Sequence, residues 1–309
     1  MTTIVGAQAS ARRGPGARTI SLESRPALVL SGGGLLGALQ VGILKSLFQA
    51  GLRPSMVVGT SVGALNGAFV AFHPDSVGIS RLEDVWCDLR ASRIFEQNPL
   101  RIVSTLITRR NCVFRSDLLQ DLIRESLVVD DFGAARIPLY VTATNLNRGE
   151  KVVFKNGSVS RALLASTAIP GLFCPVESDE GLLVDGALMA DLDLETAVKA
   201  GAREIMAIDL TQPADGFRSE SIMSVLYRSL ELLLRQQVQR DIERYSERAQ
   251  ITVIRPRLDH AHTLASFGHI SHLIDEGERL GRQLLDECLD RRGRLKCGLV
   301  TNEALPSSA

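Results

Sequence analysis

The sequence has no excess of charge of either sign: 35 basic residues face 35 acidic ones across 309 positions. Nothing in that balance calls for nucleic acid or an acidic partner, so neither is expected. Lysine is scarce, five against thirty arginines, which reads as coding bias before function. Cysteine is sparse, odd in number and without a C-x-x-C pair; Cys87, Cys112, Cys174, Cys288 and Cys297 lie far apart. A disulfide framework and a metal cluster are therefore not expected, and a reducing, cytoplasmic setting is the default. No apolar run approaches the ~20 residues that span a bilayer. No apolar core follows the N-terminal arginines Arg12, Arg13 and Arg18 either, so the reading includes no secretory signal and no transmembrane segment. Residues 1–25 read as a disordered tail, 26–290 as one domain and 291–309 as a polar C-terminal tail.

One local absence decides more than any of these. No Asp or Glu occurs between Glu23 and Asp75. Within that gap lies Gly32-x-Gly34-x-x-Gly37, which follows an apolar run and opens a helical pattern, formally a dinucleotide fingerprint. That fingerprint needs an acid about 20 residues on to hold a ribose. None is there, and no Gly-Lys-Ser/Thr follows to make a P-loop, so no cofactor is expected.

What is present is hydrophobic patterning of the strand–helix alternating kind. Ala27–Leu30 and Met56–Gly59 read as buried strands, and Leu35–Ala50 and Ser61–Phe72 as the helices after them. Short links between them imply right-handed βαβ units and a parallel sheet. Residues 80–136 read as a helical insertion without a strong strand, with helices at Arg81–Leu89, about Leu100–Thr108 and Ser116–Leu127. Pro138–Thr144 and Lys151–Phe154 read as a hairpin, and Ser160–Ser166 as a short helix. Gly181–Val184 reads as a strand ending on Asp185-Gly186, followed by a helix at Leu194–Ala200 and a strand at Ile205–Leu210. A long helix from Ser219 to about Arg248, a last strand at Ile251–Ile254 and a last helix at Ser271–Leu289 complete the chain.

The stretch around Gly59-Thr60-Ser61-Val62-Gly63 carries the chemistry. A G-x-S-x-G turn between strand and helix lifts a serine hydroxyl to the end of a sheet, and glycines at both flanks leave room for the sharp bend. Ser61 is the candidate nucleophile. The glycines Gly32, Gly33 and Gly34 let successive N–H groups converge as donors to an oxyanion, and they also permit tight strand-to-helix packing. A serine needs a base. Asp185, at a strand end, is one candidate, and Asp209, at the end of Ile205–Leu210, is its positional competitor. Histidines supply the other set: His73, His260, His262, His269 and His272, four of them within 13 residues. A Ser–Asp–His order would match an α/β-hydrolase triad.

These pieces together resemble the patatin-like phospholipase family. The resemblance rests on Ser31–Gly37 as glycine loop, Gly59, Thr60, Ser61, Val62 and Gly63 as nucleophile motif, and Asp185, Gly186 and Ala187 as acid motif. A fourth block, Ser166–Val176, lies between the last two, and the likeness covers about Pro26 to Leu210. It implies an α/β chain with a three-layer α/β/α fold and a mainly parallel central sheet. It further implies a Ser61–Asp185 dyad without histidine, an oxyanion loop at Gly32–Gly34 closed by Gly37, and a lipid or acyl-ester substrate. Two departures stand out. Leu36 occupies a place where many members carry a basic residue, which bears on anionic head groups more than on catalysis, and Cys174 stands where another residue is common. The competing readings are a histidine-triad esterase and a catalytically silent lipid-binding module. Peripheral membrane contact through Ile94–Thr108 and Ser219–Arg248 is a secondary expectation.

Overall fold

Ala27–Leu30 has no polar side chain, and a strand covered on both faces needs none. In the computed structural model, which describes residues 19–21, 23–91, 112–114, 120–121, 123–124, 129–212, 222–258 and 270–302, this segment is β1. Alternate side chains of a strand point to opposite faces. Accordingly Leu28 and Leu30 join one buried cluster, while Ala27 and Val29 join another.

The chain continues through α1 (Gly37–Gln49), β2 (Met56–Thr60), α2 (Val62–Phe72), α3 (Ser76–Ala91) and β3 (Cys112–Phe114). Next come β4 (Leu139–Asn145), β5 (Glu150–Phe154), α4 (Val159–Ser166), β6 (Gly171–Phe173), β7 (Val176–Ser178) and β8 (Gly181–Asp185). Two short helices, α5 (Ala187–Ala190) and α6 (Leu194–Lys199), lead to β9 (Glu204–Ile208) and α7 (Ile222–Tyr245). The last elements are β10 (Gln250–Ile254), α8 (Ile270–Cys288) and β11 (Gly298–Val300).

The main sheet has the order β11-β10-β9-β1-β2-β4-β8-β7, with β5 also on β4. From β11 to β4 all pairs are parallel; β5, β8 and β7 join antiparallel. One face buries Leu28, Leu30 and Val57 under side chains of α1, α2 and α8, such as Leu39, Ile43, Val70 and Leu284. The other buries Val29, Val58, Ala207 and Val253 under Leu194 and Ala197 of α6 and Val238 and Tyr245 of α7. The result is a three-layer α/β/α architecture with a mainly parallel sheet.

Several elements differ from the sequence reading. The stretch 80–136 contains α3 but also a strand: β3 pairs in parallel with β6 as a separate two-stranded sheet. Strand β8 pairs antiparallel with both β4 and β7, a departure from the parallel sheet that the strand–helix alternation implied. Gly298–Val300, read as polar tail, forms β11 beside β10, so Ile251–Ile254 is not the last strand. Three-residue strands carry too little sequence to show a period of two. Part of the N-terminal segment read as a disordered tail packs on the domain: Ile20 is buried, its N–H donating to Ala50 O, and Ser24 Oγ donates to Glu204. Cys174 is disulfide-bonded, where no disulfide framework was expected, while Cys87, Cys288 and Cys297 are free thiols. The segment Ile94–Thr108, with the helix read about Leu100–Thr108, lies outside the described residues, as do most of Ser116–Leu127, the start of Ser219–Arg248 and the two chain ends.

Helices α1 and α8 cross backbone to backbone. A Cβ on Gly277 would lie 2.1 Å from Leu39 O, and one on Gly42 would lie 2.0 Å from Ile274 O. Since both obstacles are backbone atoms, neither can be relieved by a rotamer change. Gly277→Val is expected to destabilise the fold by about 1–3 kcal/mol, read from urea denaturation followed by circular dichroism.

Candidate active site

The site is assembled along β4. Strand β2 ends with Thr60 opposite Thr142, and the next β4 residue, Ala143, faces Asp185 at the end of β8. One strand comes in parallel and the other antiparallel, so their C-terminal ends meet head to head on the same ruler. Ser61 follows Thr60 directly. Its Oγ donates to Asp185 Oδ2 at 2.6 Å, a charge-assisted distance.

The turn that presents Ser61 is strained. Its φ of 54° makes it, among the described residues, the one non-glycine with positive φ. Such a conformation costs on the order of 1–3 kcal/mol and persists only where its surroundings fix it. Here the Ser61 N–H donates to Ser166 Oγ at 2.8 Å, and Ser166 Oγ donates to Thr142 O at 2.6 Å. Ser61 O accepts from Ala64 N–H and starts α2. The flanking glycines have no room for a side chain: a Cβ on Gly63 would lie 2.4 Å from Leu30 O, and one on Gly59 2.5 Å from Gly63 O.

Asp185 is 4% exposed and Ser61 5%. Burial pushes the Asp185 carboxyl up to about 6, against the pull of the Ser61 hydroxyl and the Ala187 N–H. The Ala187 N–H donates to Oδ1 at 2.9 Å, leaving Oδ2 for the serine. A carboxylate poised near neutrality, within hydrogen-bond reach of a hydroxyl, can accept its proton.

The glycine loop lies against this pair. A Cβ on Gly32 would stand 3.2 Å from Ser61 Cβ and 3.8 Å from Ser61 Oγ. Gly33 and Gly34 have φ values of 154° and 56°, a region that favours glycine, and among the described residues their N–H groups have no acceptor. The Gly32 N–H is different: it donates to Asp191 Oδ1 at 3.0 Å. Behind the loop, Ser31 Oγ donates to Gly32 O and accepts the Leu210 N–H. Asn66 Nδ2 donates to Gly37 O and Gln40 Oε1, and Trp86 Nε1 donates to Asn66 Oδ1. Buried polar groups that satisfy one another in this way fix a single arrangement of loop and helices.

The competing candidates fall elsewhere. Asp209 is taken by Arg255, whose Nε donates to Oδ2 at 2.5 Å, and by the Thr211 N–H on Oδ1. His73 caps the far end of α2, whose eleven residues put it roughly 16 Å from the Ser61 end. His272 sits exposed in the first turn of α8, and His260, His262 and His269 lie outside the described residues. Thr60, Val62 and Gly186 are buried or half-buried parts of the two turns: Thr60 Oγ1 donates to Ala190 O, and a Cβ on Gly186 would lie 2.2 Å from Thr142 O. Ser166 and Asp191 were not singled out from the sequence as site residues. Ser166 opens a block already noted for its resemblance; Asp191 carries no signal beyond its place six residues after Asp185. Among the described residues no cluster of His, Cys, Asp and Glu could hold a metal, and no helix is long and apolar enough to cross a membrane.

The chain is 28% identical over 192 residues to an uncharacterized NTE family protein of Mycobacterium tuberculosis, covering 62% of the chain and 50% of the relative. It is 27% identical over 294 residues to a patatin-like phospholipase domain-containing protein of Caenorhabditis elegans, covering 87% of the chain and 21% of the relative. The chain thus spans half or less of the length of these curated relatives. Among solved structures, VipD from Legionella pneumophila superposes with a TM-score of 0.46 at 14% identity, covering 91% of this chain and 72% of that one. The ExoU–SpcU complex from Pseudomonas aeruginosa gives 0.42 at 17% identity, covering 93% and 60%. The model for patatin-like phospholipase matches residues 28–198, from the middle of β1 to the end of α6, and so takes in the glycine loop, the serine turn and the Asp185 turn. The chain belongs to the patatin-like phospholipase family.

Proposed function

We propose that the protein is a serine acyl hydrolase that cleaves carboxylic esters of lipids through Ser61 and Asp185. The observation that carries this reading is the buried 2.6 Å hydrogen bond from Ser61 Oγ to Asp185 Oδ2, made by a serine held at a strained φ of 54°. A strained, preorganised hydroxyl on a carboxylate is what nucleophilic catalysis requires.

In the proposed reaction Ser61 Oγ attacks the ester carbonyl carbon while its proton passes to Asp185 Oδ2. The N–H groups of Gly33 and Gly34, which have no acceptor among the described residues, take the negative charge on the carbonyl oxygen, with Gly32 holding the loop. Collapse of the tetrahedral species breaks the bond to the alcohol, which leaves with the proton from Asp185. Water then attacks the acyl-serine, gives its proton to Asp185, and the acid is released as Ser61 recovers a proton. No cofactor or metal enters these steps. Family membership supports a lipid ester as the class of substrate.

A second observation favours approach to a lipid surface. Ile222, Leu226 and Leu233 stand on one stripe of α7 and are 81%, 58% and 65% exposed. Wild-type protein is expected to co-sediment with phosphatidylcholine vesicles, and Leu226→Ser with Leu233→Ser to lose most of that binding. Equal recovery of both proteins in the pellet would remove the idea.

Ser61→Ala and Asp185→Asn are each expected to lower ester turnover by at least about 10³-fold, with circular dichroism unchanged. Release of p-nitrophenol from p-nitrophenyl butyrate measures it, and near-wild-type rates in either variant would exclude the dyad. Because Asp185 must be ionised to accept the proton, kcat/KM is expected to rise through about pH 6.

A further inference from the structure

Asp191 takes no part in the steps above, yet it is built into the same site. Its side chain is buried, and its Oδ1 accepts the Gly32 N–H at 3.0 Å. A Cβ on residue 32 would lie 2.7 Å from that oxygen and 3.2 Å from Ser61 Cβ, so the loop backbone runs tightly against both side chains. The bond ties the segment after β8 to the turn after β1. It catches the Ser31–Gly32 peptide, one residue ahead of Gly33 and Gly34, where the backbone is otherwise free to turn because glycine imposes little preference of its own.

We propose that Asp191 is the positioning residue of the glycine loop: by holding the Gly32 N–H it fixes the direction in which the Gly33 and Gly34 N–H groups present themselves beside Ser61. The inference rests on the acyl-hydrolase reading for its catalytic consequence, but not for its geometry.

The charge state of Asp191 matters to the same end. Burial, then the charges of Asp209 and Asp185, push its carboxyl up to about 8, and the Gly32 N–H works the other way. Of the two neighbouring acids, Asp209 is paired with Arg255. Near pH 7 Asp191 is therefore neutral, holding the loop without placing an anion beside a developing oxyanion. Above about pH 8 it ionises and opposes that charge. The same shift has a stability sign. The unfolded chain sheds this proton near the ordinary value of 3.8, whereas the folded chain keeps it to about 8. The folded state thus binds more protons across that window, and its stability falls as pH rises.

Three proteins decide the matter: wild type, Asp191→Asn, which keeps an acceptor for the Gly32 N–H but cannot ionise, and Asp191→Ala, which has none. Rates with p-nitrophenyl butyrate are read between about pH 5 and 10. Wild type is expected to lose kcat above about pH 8, and Asp191→Asn to match it at pH 7 without that alkaline limb. Asp191→Ala is expected to lose about 10²-fold in kcat with KM little changed. Amide hydrogen exchange over Ser31–Gly37, read by mass spectrometry, should quicken in Asp191→Ala only, and the thermal midpoint of Asp191→Asn should fall less than that of wild type on going from pH 5 to 8. Unchanged loop exchange in Asp191→Ala, or an alkaline limb surviving in Asp191→Asn, would overturn the assignment. If wild type releases no p-nitrophenol, the hydrolase reading fails by itself, and the exchange data still decide whether Asp191 holds the loop.

Discussion

The hydrogen bond between Ser61 Oγ and Asp185 Oδ2 joins two strand ends that travel in opposite directions, and the sheet has to be built to let them meet. Neither group is stable where it sits by its own preference. The serine holds a backbone conformation that costs on the order of 1–3 kcal/mol. The aspartate is a carboxyl removed from water, which pushes its proton affinity up. Each is held by the rest of the fold: the serine by Ser166 and the first turn of α2, the aspartate by the Ala187 N–H and the β4 register.

The same constraint explains the polar interior beside the site. Asp185, Asp191 and Asp209 are all buried, an arrangement that three carboxylates could not hold as free anions. Asp209 is matched by Arg255, Asp191 by the Gly32 N–H, and Asp185 by Ser61 and Ala187. Each acid therefore has its own local solution, and of the three only Asp185 accepts from a hydroxyl among the described residues. A second buried set, Trp86, Asn66 and Gln40, does the corresponding task behind the glycine loop without any charge.

Packing on the two faces of the sheet sets the frame for both. Alternate residues of β1 feed two separate cores, so the strand beside the site cannot slip by one residue without exchanging its side chains between the two cores. The close crossing of α1 with α8 fixes the helix that begins at the end of the glycine loop. Loop, turn and acid thus hang from rigid elements, while the apolar stripe on α7 is left exposed.

Local order in the chain was enough to show the strand–helix alternation, the serine turn, the glycine loop and Asp185, because each is a short-range pattern with a steric reason. Glycines at 59 and 63 announce a turn that leaves no space for a Cβ, and a missing acid between Glu23 and Asp75 removes the dinucleotide reading. What the sequence could not decide was which groups face each other. By position alone Asp209 competed with Asp185 as a strand-end acid, and the resemblance favoured Asp185; the pairing of β8 to β4 and of Arg255 to Asp209 separates them in space. The antiparallel arrival of β8, the addition of β11 and the bond from Gly32 to Asp191 depend on partners 159 positions or fewer away along the chain but adjacent in space. Hydrogen bonds of that range leave no period in the sequence, so they belong to the tertiary structure alone.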